Sequence, residues 1–211
     1  MLQIIITDLT LSRQAHQQVA PITPPPITPM PITPPPITTM RAKFFIHTLP
    51  NPTAGLFRVL YHEIGHEWGW YEQKLNSDHR LQARLSHPQN HFLILSDHAN
   101  LPQNPAEIMG FIELDWRIQA RPNIFLFGLR SACQGQKLGG FFLNHALNYL
   151  FDDPETQRIT VDTCTLDHPS ALGLYQRLGF ERVGIREKQL DFDPKAERFN
   201  HINALNDHRV D

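Results

Sequence analysis

The chain reads as an α+β protein, a mostly antiparallel run of strands followed by a β-α-β-α-β half. Three observations predict this. After residue 41 the hydrophobic spacing switches repeatedly between helical and strand periods. Asn123–Leu129 is almost wholly apolar, as in a strand buried on both faces. Ala171, Leu174, Tyr175 and Leu178 then stand at helical spacing, with Pro169 suited to the first turn and Gly179 to the C′ position.

Taken in order, residues 1–20 form an N-terminal extension in which Ile4-Ile5-Ile6 is a short strand or a loose tail. That run is too short for a membrane span or a secretion signal, and no basic segment precedes it. Residues 21–40 are a repeat: Pro21 to Met30 recurs almost unchanged as Pro31 to Met40. Proline this dense removes backbone donors and fixes φ, so a polyproline-II rod or spacer is expected. A docking site for a proline-binding module is the alternative.

The folded domain is placed at 41–190, with a polar C-terminal tail at 191–211. Lys43–His47 is a candidate strand, and Thr53–Gly65 a helix with Leu56, Val59, Leu60 and Ile64 on one side. Asp78 is placed to cap a second helix carrying Leu81 and Leu85. His91–Ser96 and Ile108–Trp116 read as strands joined by the turn-rich segment Asp97–Pro105. After Asn123–Leu129 come a helix over about Lys137–Phe151, stopped at Asp152-Asp153-Pro154, and the strand Arg158–Thr163. The helix His168–Leu178, with Asp167 or His168 as its cap, and the strand Phe180–Lys188 complete the series.

The 211 residues are 41% hydrophobic and 19% charged, with a formal net charge of −2. Such a composition fits a soluble globular protein and points away from nucleic acid or a membrane as partner. Cys133 and Cys164 are too few for a disulfide framework and too far apart for a short metal pair, so a reduced, cytoplasmic setting is expected.

The stretch from Ile124 to Phe151 carries the most chemistry. A strand ends at Leu129, a turn follows, and Gln134-Gly135-Gln136-Lys137-Leu138-Gly139-Gly140 opens a helix. Free amides at a helix start attract phosphate, and glycines let a bulky anion approach. The segment reads as a pyrophosphate cradle to which Lys137 adds charge; a glycine-softened helix start that binds nothing is the bland alternative.

Here the chain resembles the GNAT N-acetyltransferases. Gln134 and Gly139 match the ends of their Gln/Arg-x-x-Gly-x-Gly/Ala motif, with Lys137 where the family usually has its first glycine. The second motif runs from Thr163 to Phe180, and its ending, Ala-x-x-Leu-Tyr-x-x-x-Gly-Phe, is present from Ala171 to Phe180. His168 stands where an Asn is common.

The resemblance implies the GNAT fold, a mixed central sheet with splayed parallel strands flanked by helices. Acetyl-CoA would lie between Asn123–Leu129 and Arg158–Thr163. Gln134, Gly135, Gln136, Lys137, Leu138, Gly139 and Gly140 would hold its pyrophosphate. His168 would stand by the pantetheine arm, and amides around Leu129 and Arg130 would hold the thioester. The acceptor amine would attack directly, and Tyr175 would protonate the departing thiolate, a reasonable donor because a phenol's pKa lies above that of the thiol. Packing alone is the other reading of Tyr175.

Glu113, a carboxylate among apolar neighbours in Phe111-Ile112-Glu113-Leu114, is the first candidate for the base, with Asp115 and His168 behind it. An outward-facing strand residue is the alternative. Trp68, Trp70 and Tyr71 would line the acceptor pocket, or pack as ordinary core aromatics. Pairing as a homodimer is compatible with the resemblance.

A rival motif stands at His62-Glu63-Ile64-Gly65-His66, a literal H-E-x-x-H that Gly69 and Glu72 extend towards a third zinc ligand. A zinc peptidase is therefore the first alternative, and a non-catalytic module that binds acyl-CoA the second. The peptidase reading leaves both later motifs unexplained, so the expected site holds no metal.

Overall fold

The computed structural model describes residues 2–20, 22–23 and 44–195. The proline repeat beyond Thr23 and the tail beyond Lys195, expected as a rod and a loose end, lie outside the described residues. A seven-stranded sheet in the order β2-β3-β4-β5-β6-β1-β7 forms the middle layer. Its strands are β1 (Leu2–Ser12), β2 (Phe45–Thr48), β3 (Asn90–Ser96), β4 (Gly110–Asp115), β5 (Asn123–Leu129), β6 (Arg158–Cys164) and β7 (Glu181–Leu190). Helices α1 (Arg13–Gln17), α2 (Ala54–Gly65), α3 (Asp78–Leu85), α4 (Leu138–Phe151) and α5 (Ala171–Arg177) surround it. All pairings are antiparallel except β5 with β6.

Strand alternation builds two apolar layers, one on each face. Leu93, Leu95, Ile112 and Leu114 join Phe142, Leu143, Leu147 and Leu150 of α4 on one face. Phe92, Ile94 and Phe111 join Phe57, Leu60 and Ile64 of α2 and Leu81 and Leu85 of α3 on the other. The helices therefore form where an apolar stripe has a sheet face to cover. α3 begins one residue earlier in its cap than expected: the Ser77 hydroxyl accepts the Arg80 N–H, and Asp78 instead pairs with Arg58 at 2.7 Å. α5 starts at Ala171 rather than His168, because Asp167 and His168 make side-chain bonds within the preceding turn.

The largest departure from the sequence reading is β1. Residues expected outside the domain form an 11-residue strand between β6 and β7, hydrogen-bonded to both. Leu9 and Leu11 alternate with Thr10 and Ser12 and are 1% and 0% exposed, inside the same layer as α4. The segment is tied down further along. Arg13 of α1 donates to the carbonyl of Phe151, the last residue of α4, at 2.8 Å. Ile22, the second residue of the proline repeat, packs against the α4 layer. Residues 2–12 are thus part of the sheet, and the folded unit begins well before residue 41.

α4 opens with an unusual backbone. Lys137, its N-cap, has φ 62° and ψ 7°, the left-handed conformation that glycine adopts freely. The departure from the motif's usual glycine changes the residue and keeps the conformation, at a cost of roughly 1–2 kcal/mol for a side chain there. Lys137→Gly should therefore unfold at higher denaturant, by up to about 1 kcal/mol after glycine's own chain entropy is deducted. Leu11→Ala should cost about 2–5 kcal/mol, whereas Ile185→Ala on β7, 59% exposed, should stay within about 0.5 kcal/mol. Equilibrium urea unfolding of the full chain reads all three.

Candidate active site

β5 and β6 are paired over two positions only, Asn123 with Thr160 and Ile124 with Val161. Beyond them the strands part, although β5 continues to Leu129 and β6 to Cys164. A bulge lies at the fork: Glu113 faces Leu126 while Leu114 faces Ile124, so Phe125 is the extra residue. Bulges bend a strand and increase its twist, which turns β5 away from its parallel neighbour. The expectation that β5 is buried on both faces is corrected here. Phe125 is 36% exposed, and only Ile124 and Leu129 are buried, because the apolar side chains face an opening instead of packed core.

The opening is a cavity of about 320 Å³. β5 from Ile124 to Leu129 forms one wall, and Val161 and Asp162 of β6 another. The turn before α4 brings in Cys133, Gln134, Gly135 and Lys137, and the first turn of α4 brings Gly139 and Gly140. The loop after β6 and α5 bring Asp167, His168, Leu174 and Tyr175, and the α2 side brings Ile64, Trp68 and Trp70.

At the α4 end, no side chain caps the first turn. Gly135 has φ 73° and leaves open space where a Cβ would stand. The Gln134 side-chain amide donates to the Leu129 carbonyl at 3.2 Å, which fixes the turn to the end of β5. Of the residues expected to hold a pyrophosphate, Gln134, Gly135, Lys137, Gly139 and Gly140 line the cavity. Gln136 and Leu138 do not. The Gln136 side chain turns back to the Ala132 carbonyl at 2.8 Å, and Leu138 is buried in the core.

Leu129 lines the cavity, but Arg130 is corrected. Its N–H donates to the Met109 carbonyl at 2.9 Å, and its guanidinium is bonded to Ile108 and Pro105 carbonyls and paired with Glu63. That amide has no hydrogen left for a thioester. Beyond Ile124 the edge of β5 that faces β6 has no strand partner.

Tyr175 is in the wall, 6% exposed, with its ring edge-on to Phe180. Burial raises its pKa, helped by the negative charges of Asp167 and Asp162, so the phenol is held protonated. Glu113 is not in the wall. It is 0% exposed on the α2 face of β4, its carboxylate paired with Arg84, whose guanidinium lies between the Phe57 and Phe125 rings. Burial lowers Arg84 to about 10, still a cation at neutral pH. The pair is structural, and Glu113 is too enclosed to reach an acceptor. Asp115 stands opposite Asn123, the first residue of β5, bonded to Arg117 and outside the cavity wall.

Trp68 and Trp70 line the cavity on the α2 side, and Trp68 meets His168 edge-on at 4.7 Å. Tyr71 is corrected. Gly69, with φ 70°, turns the chain, and Tyr71 packs on Phe192, Ile4 and Leu190 in a separate cluster. In the H-E-x-x-H run, Glu63 is paired with Arg130, and the Lys74 amine sits 3.3 Å from His62 Nδ1. Among the described residues no group of three or more His, Cys, Asp or Glu is arranged to hold a metal ion. No sequence signal singled out Asp162, a carboxylate that the structure places in the cavity wall.

Solved structures with the same fold include a GCN5-related N-acetyltransferase from Sphaerobacter thermophilus, at 13% identity and TM-score 0.53. It is matched over 88% of this chain and 51% of its own length. A tandem GNAT protein from the clavulanic acid biosynthesis pathway matches at 15% identity and TM-score 0.52, over 87% of this chain and 53% of that one. An aminoglycoside acetyltransferase from an uncultured soil metagenomic sample matches at 14% and TM-score 0.50, over 64% of this chain and 86% of that one. The chain thus spans about half the length of the first two. No curated protein matches it. Residues 57–180, more than half of the sequence and the whole of the forked-strand cavity's framework from α2 to α5, match the acetyltransferase (GNAT) family, to which this chain belongs.

Proposed function

We propose that the protein transfers an acetyl group from acetyl-CoA to an amine by direct attack on the thioester. The observation that carries this reading is the parting of β5 from β6 over a cavity that ends at an uncapped, glycine-bearing helix start. A thioester arm needs a slot with unpaired strand groups along it, and a diphosphate needs amides and a positive dipole end. Lys137, in the cavity wall at the helix start, adds a cation at that end.

In the reaction the amine nitrogen bonds to the thioester carbon, and the oxyanion that develops is met by free N–H groups of β5. The C–S bond then breaks, and the Tyr175 hydroxyl donates to the sulfur as charge builds on it. Burial keeps that phenol protonated through the physiological range, so it is a standing donor. Cys133 also lies in the wall, but burial pushes its thiol pKa up, which disfavours an acyl-cysteine intermediate and supports direct attack. Trp68 and Trp70 offer flat apolar surface to an acceptor on the α2 side.

The soil aminoglycoside acetyltransferase is one fold relative whose name specifies an amine-bearing substrate; the acceptor here is an amine whose identity a screen must supply. Both cysteines are free thiols, in keeping with a cytoplasmic setting, and among the described residues no helix is long and apolar enough to cross a membrane. A homodimer remains part of the proposal and is read by sedimentation.

Acetyl-CoA at a hundredfold its Kd should stabilise the chain by about 2.7 kcal/mol, seen as a rise in Tm. Tyr175→Phe should keep that rise while kcat for thiol release with an active amine falls by about 10²- to 10⁴-fold. No rise with acetyl-CoA and no thiol release across an amine panel would overturn the assignment.

A further inference from the structure

Resting on the acyl-transfer reading, we propose that Asp162 is the general base that deprotonates the acceptor ammonium, positioned by Arg186 and by Asp8 of the inserted strand β1. An amine reaches the site mostly as R–NH3+ and cannot attack until one proton leaves. Among the described residues, the cavity-lining carboxylates and imidazole that could take it are Asp162, Asp167 and His168.

Two of these are committed elsewhere. The Asp167 Oδ2 accepts the Thr163 hydroxyl at 2.7 Å and the Cys164 N–H at 2.9 Å, which braces the turn after β6. His168 Nδ1 accepts the Ser170 N–H at 3.1 Å, so in the neutral ring the proton sits on Nε2. That tautomer presents a donor to the cavity, not a base. Asp162 keeps a half-exposed carboxylate, 53%, whose ion-pair contact is Arg186 at 3.4 Å.

Its location fits the task. Asp162 follows Val161, the last β6 residue with a β5 partner, so it stands at the fork itself. Val161 and Thr163 are buried, Val161 in the α4 layer, and strand alternation turns Asp162 to the opposite face, where α2, Trp68 and Trp70 lie. Tyr175 belongs to the α4 layer. Base and acid therefore flank the opening from opposite faces. R–NH3+ gives one proton to Asp162; the N–C bond forms and the C–S bond breaks. The Tyr175 proton goes to sulfur, and the nitrogen's second proton returns to Tyr175 through solvent. Products are the amide and free CoA thiol, with one proton released from Asp162.

The surroundings tune the base. Charged groups facing it are Arg186 from β7, Asp8 from β1 and Asp167 from the following turn. Partial burial raises the Asp162 pKa above the ordinary carboxylate value, Arg186 opposes this, and the two carboxylates add to it. Arg186 is bound chiefly to Asp8, at 2.5 and 2.9 Å, which lowers the Asp8 pKa and holds the guanidinium back from Asp162. Asp8 is a positioning residue: without it, Arg186 is released to neutralise Asp162, and the base weakens.

The test uses the full chain with whichever of spermidine, kanamycin and an alanine-ended peptide releases thiol in the parent. Asp162→Asn should keep the acetyl-CoA rise in Tm and lose about 10²- to 10⁴-fold in kcat/KM at neutral pH. That loss should shrink steadily as pH rises, because free amine then forms in solution. Asp162→Glu should recover part of it. Asp8→Asn should shift the acid limb of the kcat/KM profile to lower pH, a change that a merely structural role would not produce. An active Asp162→Asn with an unaltered pH profile would overturn the proposal while leaving acyl transfer intact. A parent that neither binds acetyl-CoA nor releases thiol would overturn both.

Discussion

The structure depends on one interrupted hydrogen-bond ladder. β5 and β6 are paired at two positions only, Asn123 with Thr160 and Ile124 with Val161, and the cavity opens where that pairing stops. Open strand edges inside a domain leave backbone groups without partners, which is costly unless a ligand or water satisfies them. The rest of the sheet tolerates the fork because it is closed on both sides. β4 holds β5 through the bulge at Phe125, and β1 holds β6 along seven residues from Ile6 to Ser12. Helices α2 and α4 then fix the two halves by packing on opposite faces.

Close contact, more than polar bonding, sets the α2 side of the fork. A Cβ at Gly128 would lie 2.3 Å from the Ile64 side chain and 3.2 Å from the Trp70 ring. The missing side chain lets the end of α2 and its aromatic loop press on β5 directly. This contact brings Trp68 and Trp70 to the cavity and sets the end of the helix that carries the H-E-x-x-H run beside the opening. Its His62 and His66 rings stack at 5.0 Å, and His66 Nδ1 bonds the His62 carbonyl.

Much of this was legible in the sequence. The α4 and α5 helices, the strands around them and the glycine-bearing turn follow from local periodicity and punctuation, which act within a few residues. What failed required long-range partners. Glu113 looked anomalous among apolar neighbours, but its partner Arg84 lies 29 positions away on another element. Trp68, Trp70 and Tyr71 read as one wall, and a single left-handed glycine sends Tyr71 to another cluster. Asp162 could not be told from a surface residue, since alternation shows which face a side chain takes and not whether that face is covered. For β1, the alternation of Leu9 and Leu11 was visible, but the proline repeat drew the domain boundary in the wrong place.

The position of β1 has a consequence for biosynthesis. It leaves the ribosome well before its partners, as the Thr10 hydroxyl bond to Ile159 spans 149 positions. Until β6 and β7 emerge, an isoleucine-rich strand with two bare edges is exposed in the nascent chain, and such edges recruit other chains.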